Sequence, residues 1–432
     1  MTEFLSIQQA IDQKEGNVAI RGWVYRERGS NKLKFIVLRD SSNIIQCVAD
    51  ADNFSQEEFE KLHKLQIETS MIIWGKIKKD DRAPTGYEIS MNKFEIVGEC
   101  DTFPIQKDQS PEFLLDNRHL WIRSRKMTAI MKIRSTILEA IHDFFKSKGY
   151  YEFTPPIMQP NQCEGGSTLF EVKYYNEITY LSQSWQLYAE AAIFSLERVY
   201  CISPTFRAER SKTSRHLSEF WMAEMEAAWI DLKQASEIAK EEIRFIIKKV
   251  LENNRNELES LGRDVKILER YAEADYPTIT YDDALKILKE KRNVQVAWGK
   301  DLRTIEEDEL MKEFSSPIIV TNYPKEIMAF YKPRDPKNPK TALCFDMLAP
   351  EGYGEIIGGS QRDTDIQEIE NALKKDGEDP NNYKFYLDLR KYGSVPHSGY
   401  GLGVERVISW ICCLDNIKDA IPFPRTMLRK GP

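Results

Sequence analysis

The chain has 432 residues, of which 41% are hydrophobic and 30% charged, and a formal net charge of −7 at pH 7. This length exceeds that of one hydrophobic core, so at least two domains are expected. No apolar run reaches the ~18 residues that cross a bilayer, and the first residues lack the basic and apolar regions of an export signal, so we expect a cytoplasmic protein without membrane contact. The net acidity argues against a protein that coats nucleic acid without selectivity.

Cysteine and histidine spacing disfavours a structural metal site. The seven cysteines contain no CxxC pair, and the five histidines show neither HxxxH nor HExxH spacing. We therefore expect reduced, mostly buried thiols and no structural zinc.

Five short strands with a helix between the third and the fourth are predicted in the first hundred residues. The strands are expected at residues 18–25, 33–39, 44–49, 71–76 and 87–97, and the helix at 55–65. This order is typical of the OB fold, a small barrel that binds oligonucleotides. We assign residues 1–100 to this domain and residues 101–120, which contain two prolines, to a linker.

A basic strip runs from Arg21 to Arg39 within this barrel. Arg28 supplies positive charge, and Phe35 offers an aromatic face on which an RNA base can stack. One strand later, Gln46 carries an amide able to hydrogen-bond a base edge. In an arbitrary barrel the commoner alternative is that the phenylalanine is core and the glutamine is solvated.

The remaining residues, 121–432, form the second predicted domain, with helical insertions near 233–315. Helices are expected at residues 123–147, 233–266, 301–314 and 364–384. The first has one apolar stripe, ends at Gly149 and leads into a strand up to Pro156.

Three separated clusters in this domain carry chemistry. The first joins Phe206-Arg207-Ala208-Glu209 to the stretch 215–220, and the second is a glycine-rich strand, 396–403, that precedes Val404-Glu405-Arg406. Glycines let a flat ligand approach the backbone, and an arginine guanidinium pairs with phosphate or covers a purine. The third cluster sets two carboxylates, Asp346 and Glu355, among apolar and glycine residues, where a carboxylate needs a partner such as a metal ion or an arginine.

In this order the clusters resemble motifs 2 and 3 of the class II aminoacyl-tRNA synthetases, and the helix at 123–147 with Pro156 resembles their motif 1. The segments 22–24, 35–40 and 45–48 resemble the anticodon-binding domain of the aspartyl, asparaginyl and lysyl group. The resemblance covers nearly the whole chain. It implies an α+β protein, with an N-terminal five-stranded OB-fold β-barrel and a class II catalytic domain in which helices flank an antiparallel sheet. It also implies a homodimer, since motif 1 forms the dimer interface in that family.

The resemblance implies an enzyme that activates an amino acid with ATP and transfers it to the 3′ end of a tRNA. The substrate carboxylate attacks the α-phosphate, so the protein has to position groups and neutralise charge. The implied catalytic residues are Arg207, Glu355 and Arg406. The implied ATP-binding residues are Arg207, Glu209, Arg215, His216, Leu217, Phe220, Glu355, Gly403 and Arg406. Mg²⁺ is the implied cofactor beside ATP, with Glu355 as its ligand and Asp346 as a second candidate.

Within this scheme Arg207 bridges the α-phosphate and the attacking carboxylate. Glu209 accepts a hydrogen bond from the adenine amino group, and the adenine ring lies between Phe220 and Arg406. Arg215 and His216 reach the outer phosphates.

Three features favour asparagine over aspartate as the amino acid. Ala189 follows Gln186-Leu187-Tyr188 at a position where aspartyl enzymes carry a lysine for the substrate β-carboxylate. Glu224 can accept from the asparagine NH₂ and repel aspartate. Gly358 replaces a serine of archaeal-type aspartyl enzymes. The implied partners are L-asparagine and tRNA(Asn). The implied amino-acid-binding residues are Glu164, Gln186, Glu224 and Arg362, and the implied anticodon-binding residues are Arg28, Phe35 and Gln46.

Two residues depart from the family pattern. Trp185 replaces a smaller residue or proline, and Ser398 interrupts a double glycine, which leaves the shape of the pocket open.

Three other functions remain open on the sequence. An asparagine synthetase-like enzyme that activates aspartate is disfavoured by the barrel. An aspartyl or relaxed aspartyl-asparaginyl enzyme is disfavoured by Ala189 and Glu224. An RNA-binding relative without catalysis is disfavoured because Arg207, Glu355 and Arg406 are all present.

Overall fold

A computed structural model describes residues 3–164, 168–210, 213 and 215–432. The chain divides into two compact units, Met1–Asn117 and Arg118–Pro432.

The first unit is a closed five-stranded barrel. Its strands are β1 (Gly16–Gly29), β2 (Leu33–Arg39), β3 (Ile44–Asp50), β4 (Ser70–Lys79) and β5 (Tyr87–Gly98), which close in the order β1-β2-β3-β5-β4. Helix α1 (Ile7–Gln13) precedes the barrel, and α2 (Gln56–His63) lies between β3 and β4. Alternate side chains along β2, including Ile36 and Leu38, fill the interior. The predicted OB-fold order is thus confirmed.

The first strand is longer than predicted because it serves both sides of the barrel. Its first half pairs with β4 and its second half with β2, and a bulge lies between Val24 and Arg26. Such a bulge bends a strand and increases its twist, which lets one strand join two neighbours and close the barrel.

The segment predicted as a linker, residues 101–120, is partly helical. Helix α3 (Pro111–Asp116) starts after Ser110, whose hydroxyl accepts from the Phe113 amide, and α4 (Arg118–Trp121) follows. Proline is favoured in the first turn of a helix, where its missing N–H has no intrahelical partner. Pro111 therefore marks a helix start here rather than a loop.

The second unit is built on an eight-stranded sheet. In spatial order its strands are β12 (Thr278–Thr280), β13 (Ile318–Thr321), β16 (Cys344–Ala349), β17 (Gly354–Gln361), β18 (His397–Gly403), β11 (Glu219–Ala228), β10 (Arg198–Phe206) and β6 (Tyr151–Glu152). Only the pairs at the two edges of this sheet run parallel. Two small sheets contain β7 (Met158–Gln159), β8 (Glu171–Tyr174) and β9 (Glu177–Leu181), and β14 (Arg334–Asp335) and β15 (Asn338–Ala342).

Ten helices described in this unit accompany the sheet in addition to α4. They are α5 (Arg125–Ser147), α6 (Gln186–Leu196), α7 (Leu232–Asn253), α8 (Arg255–Ser260), α9 (Val265–Glu273), α10 (Tyr281–Arg292), α11 (Thr304–Met311), α12 (Ile366–Lys375), α13 (Lys384–Lys391) and α14 (Val404–Cys412). The apolar stripe of α5, with Ile133 and Ile137, shares one core with Ile243 of α7 and with the sheet. The predicted α+β class is confirmed.

The single helix predicted at residues 233–266 is three helices. The break after α7 falls at Asn254, whose backbone is not helical, and Gly262 has a positive φ of 80° before α9. A positive φ is readily adopted by glycine and ends the preceding turn. The helical spacing of apolar residues continues across both breaks. Periodicity alone therefore predicted one helix.

Glu242 of α7 is a buried carboxyl group in this core. Oε2 accepts a hydrogen bond of 2.7 Å from the Tyr400 hydroxyl, and Oε1 has no partner. Burial raises the pKa of Glu242 from 4.5 to about 8, so the folded chain keeps this group protonated where the unfolded chain ionises it. The free energy of unfolding should therefore fall as the pH rises from about 4.5 to about 8.

Glu242→Gln should flatten that pH dependence, because the amide does not titrate. We expect the urea midpoint of the variant to fall less than that of the wild type between pH 5 and 8, by up to about 1.4 kcal/mol per pH unit in unfolding free energy. Glu252→Gln, on the exposed side of the same helix, is the control. Parallel pH profiles for the wild type and Glu242→Gln would contradict this assignment.

Candidate active site

A cavity of about 250 Å³ lies over the middle strands of the eight-stranded sheet. Every residue for which the sequence implied contact with ATP, the amino acid or Mg²⁺ lines it. These residues are Glu164, Gln186, Arg207, Glu209, Arg215, His216, Leu217, Phe220, Glu224, Asp346, Glu355, Arg362, Gly403 and Arg406. The cavity therefore joins clusters that lie up to about two hundred residues apart in sequence.

Glycines on β17 and β18 make room for this cavity. Gly358 pairs with Gly401, which pairs in turn with Glu224 on β11. A Cβ at position 358 would lie 3.0 Å from Oε1 of Glu355 and 3.5 Å from Oδ1 of Asp346. A larger residue here would press on both carboxylates, so the glycine allows them to approach.

The hairpin of β10 and β11 presents Arg207. The strands pair up to Phe206 and Glu219, and the Arg207 amide then donates to the Ser218 carbonyl at 3.0 Å. The guanidinium lies 5.5 Å from the centre of the Phe220 ring, and its Nε is buried without a hydrogen-bond partner among the described residues. A buried donor without an acceptor is costly, so this group is suited to an anionic ligand.

Arg406, in the first turn of α14, is held by Glu355. Its Nη1 donates to Oε2 of Glu355 at 2.8 Å and to the Glu355 carbonyl at 2.9 Å. Burial opposes ionisation of Glu355, but Arg406, followed by Arg207, outweighs it and lowers the pKa of Glu355 below its usual value. Glu355 is therefore an anion between two arginines.

The loop residues Arg215 and His216 close one side of the cavity. Nη2 of Arg215 lies 3.1 Å from both carboxylate oxygens of Asp308 and donates to the Gly352 carbonyl. Burial lowers the pKa of His216, although Glu209, 3.6 Å away, acts in the opposite direction. A neutral imidazole beside the arginines limits charge repulsion when the site is empty of phosphate.

Burial, followed by the charge of Glu355, raises the pKa of three further carboxyl groups: that of Asp346 well above its usual range, that of Glu307 to about 7, and that of Asp301. Oε1 of Glu355 and Oδ1 of Asp346 both lie within 3.5 Å of the position that a Cβ at Gly358 would take. Carboxylate oxygens are the ligands that Mg²⁺ prefers. This pair therefore has the donor chemistry of the metal that the sequence implied.

Glu224 and Arg362 form the other half of the cavity. Glu224 accepts from the Ser184 hydroxyl and from the Trp185 amide at 3.2 Å, and burial raises its pKa to about 7. Arg362 pairs with both oxygens of the buried Glu226, with a shortest distance of 2.7 Å. A fixed acceptor and a fixed donor therefore line the same space.

Two residues of this half have surroundings that the sequence did not show. Ala189 is buried in an apolar cluster with Trp185 and Ile193 and is absent from the cavity lining among the described residues. Gln186 lines the cavity, but its amide donates to the buried Glu190 at 2.9 Å. Trp185, the departure from the family pattern, supplies its backbone amide to Glu224.

The segment 417–425 returns to this site from the far end of the chain. Ile417 lines the cavity and packs with Leu217, and the Ser218 amide donates to the Arg425 carbonyl at 2.8 Å. Arg118, only 1% exposed, holds this segment through the carbonyls of residues 418, 421 and 422 and the carboxylate of Asp419.

In the first unit, a groove of about 480 Å³ contains Arg28, Phe35 and Gln46. The Arg28 guanidinium lies 5.3 Å from the centre of the Phe35 ring. Gln46 is buried rather than solvated, and its amide donates to Glu88 at 3.0 Å. The glutamine is therefore held in one orientation.

Comparison with known proteins shows the family. A family model described as tRNA synthetases class II (D, K and N) matches residues 110–427, and one described as an OB-fold nucleic acid binding domain matches residues 18–97. The chain belongs to the class II tRNA synthetases. It is accordingly an enzyme, an aminoacyl-tRNA ligase.

Relatives that match this synthetase over nearly the whole chain include asparagine–tRNA ligases. The chain is 48% identical to the asparagine–tRNA ligase of Thermococcus gammatolerans over 96% of both chains, and 46% identical to that of Pyrococcus horikoshii over the whole of both. The solved asparaginyl-tRNA synthetase of P. horikoshii with asparaginyl-adenylate matches with a TM-score of 0.96 at 45% identity over both complete chains. The Entamoeba histolytica enzyme with the same ligand matches at 0.87 and 30% identity, over 96% of this chain and 97% of that one.

Several residues in or next to the synthetase cavity were missed from the sequence. Glu226 lies two residues after Glu224 on one strand and therefore on the same face, a signal that could have found it. Glu307 and Asp301 had only the acidic composition of residues 301–314 as a signal, because the sequence does not show that this helix folds back to Glu355. Tyr331, whose hydroxyl donates to Glu164, had no signal.

A search of the described part of the synthetase for membrane-crossing helices finds none of sufficient length and apolarity.

Proposed function

We propose that this synthetase is an asparagine–tRNA ligase. It uses ATP to convert L-asparagine to asparaginyl-adenylate and then transfers the asparaginyl group to the 3′ end of tRNA(Asn). One observation supports the proposal most directly. A single cavity has one half lined by arginines and another half lined by both Glu224 and Arg362. The specificity of the full-length relatives supports the same assignment.

The phosphate half serves adenylate formation. Arg207, whose Nε is unpartnered among the described residues, donates to the α-phosphate and to the attacking carboxylate, and so holds the two reacting groups together. Adenine lies between Phe220 and Arg406, with its amino group on Glu209, while Arg215 and His216 approach the outer phosphates. Mg²⁺, held by Glu355 and Asp346, would supply charge neutralisation to the phosphates.

The amino-acid half distinguishes an amide from a carboxylate. Glu224 accepts from the NH₂ of asparagine, and Arg362 donates to the carbonyl oxygen of the same amide. Aspartate would place a carboxylate against Glu224 in a buried site, where like charges repel strongly. Glu164 is the carboxylate available to the substrate ammonium group, and Gln186 completes this wall.

ATP–pyrophosphate exchange with asparagine or aspartate at equal concentration tests the proposal. Exchange that depends on asparagine alone is the expected result. Exchange with aspartate would overturn the assignment and favour an aspartyl or relaxed enzyme, or an asparagine synthetase-like one. Exchange with neither would favour the non-catalytic RNA-binding alternative.

Gln46→Ala should weaken tRNA charging and leave amino-acid activation unchanged. The groove that holds Gln46, Phe35 and Arg28 is the proposed anticodon site, and one lost base contact costs about 1–3 kcal/mol. We expect the KM for tRNA(Asn) to rise at least about tenfold in aminoacylation, with ATP–pyrophosphate exchange unaffected. Gln66→Ala, an exposed glutamine of the same unit, is the control. Equal loss in both assays would refute this division of labour.

We also propose a homodimer. The support is the motif 1 resemblance of α5 and β6, together with the edge position of β6, where Tyr151 is 58% exposed. Sedimentation equilibrium measures the mass directly.

A further inference from the structure

Glu405 joins both proposed walls of the adenine space, although neither the motif resemblance nor the proposed reaction gives it a role. It lies in the first turn of α14, beside Arg406, and is 1% exposed. Its Oε2 accepts from the backbone amide of Trp221 at 2.8 Å, and Trp221 follows Phe220 on β11. One buried side chain therefore ties the strand that carries Phe220 to the helix that carries Arg406.

Arg134 of α5 holds the other oxygen of this carboxylate. Its Nη1 lies 2.7 Å from Oε1 of Glu405 and also donates to the Ala420 carbonyl at 3.1 Å. Burial raises the pKa of Glu405, and Arg134, followed by the Trp221 amide, opposes that shift. Because both oxygens are hydrogen-bonded and the side chain is buried, the carboxylate is held in one orientation.

We propose that Glu405 is a positioning residue for ATP. It fixes the distance between Phe220 and Arg406, so that the adenine ring fits between these two side chains. The inference rests on the proposed activation of an amino acid by ATP. The acceptor and donor proposed for the asparagine amide, Glu224 and Arg362, do not bond to Glu405, so the effect should be confined to the nucleotide.

Glu405→Gln tests this in ATP–pyrophosphate exchange. The amide keeps the size of the side chain, but it can accept through only one atom and turns a donor toward Arg134 or the Trp221 amide. We expect the KM for ATP to rise at least tenfold, with the KM for asparagine within twofold of the wild type. If Glu405 only stabilised the fold, Glu405→Gln would reduce the fraction of active enzyme and lower the maximal rate. It would not change the KM for ATP selectively.

Arg134→Lys is the second variant, in case Glu405→Gln folds poorly. The lysine keeps the charge, but its ammonium lies at the end of a side chain of different length and shape from the guanidinium whose Nη1 contacts both Glu405 and the Ala420 carbonyl, so a smaller rise in the KM for ATP is expected. Lys146→Met, which removes an exposed cation from the last turn of the same helix, is the control.

Either an unchanged KM for ATP in both variants or an equal rise in both KM values would overturn the proposal. These outcomes are separable from failure of the proposed function, because that failure would show as wild-type exchange with aspartate or with neither amino acid. An enzyme that used aspartate would still report its KM for ATP.

Discussion

Arg207→Ala is expected to abolish adenylate formation, with asparagine-dependent ATP–pyrophosphate exchange reduced by about 10³-fold or more. The guanidinium lines the cavity beside Phe220, and its Nε has no hydrogen-bond partner in the part of the chain that the structure describes. Its proposed ligands, the α-phosphate and the substrate carboxylate, are both anions whose mutual repulsion must be overcome before they react.

Arg207→Lys separates charge from geometry. A lysine retains the charge but cannot present two parallel donors, so we expect activity well below that of the wild type yet above that of the alanine variant. Arg198→Ala, at the exposed start of the same strand, is the control for folding of the hairpin. Full exchange activity in Arg207→Ala would remove this residue from the mechanism.

Glu224→Gln is expected to reduce the preference for asparagine over aspartate by about 10²-fold or more, by removing like-charge repulsion in a buried site. The glutamine amide can still meet Ser184 and the substrate, and it can donate to a β-carboxylate. The measurement compares kcat/KM for the two amino acids in the exchange assay. Glu219→Gln, in the same strand and outside the cavity lining, is the control. An unchanged ratio would mean that another residue selects the amide.

Ionisation of Glu224 should also make the preference for asparagine depend on pH. Burial raises the pKa of Glu224 to about 7, so the group is mostly protonated at pH 6 and mostly ionised at pH 8. Repulsion of aspartate requires the ionised form. The preference for asparagine should therefore increase from pH 6 to pH 8 in the wild type and stay flat in Glu224→Gln.

Local patterns predicted the barrel well. The strand expected at 33–39 is β2, and the helix expected at 55–65 is α2, which is capped by Ser55. Strand alternation and helix capping are local signals that act over a few residues.

Contacts between segments far apart in sequence could not be predicted from such local patterns. The acidic helix α11 brings Glu307 to Glu355, and nothing in its own sequence distinguishes it from a solvated surface helix. The surroundings of Ala189 could not be predicted either, because only the packing of α6 places it in an apolar cluster. Which face of a helix meets a site depends on packing that the motif does not contain.

The contacts of residues 417–425 affect when the hairpin can be fully supported during synthesis of the chain. Arg118 and the β10–β11 hairpin are made early, but the segment that supports Leu217 and pairs with Ser218 leaves the ribosome about two hundred residues after the hairpin. The nascent chain therefore holds this hairpin without one of its supports while about two hundred further residues are made. If the hairpin binds ATP as proposed, nucleotide binding should appear only after residues 417–425 have been made, rather than with the first ordered strands.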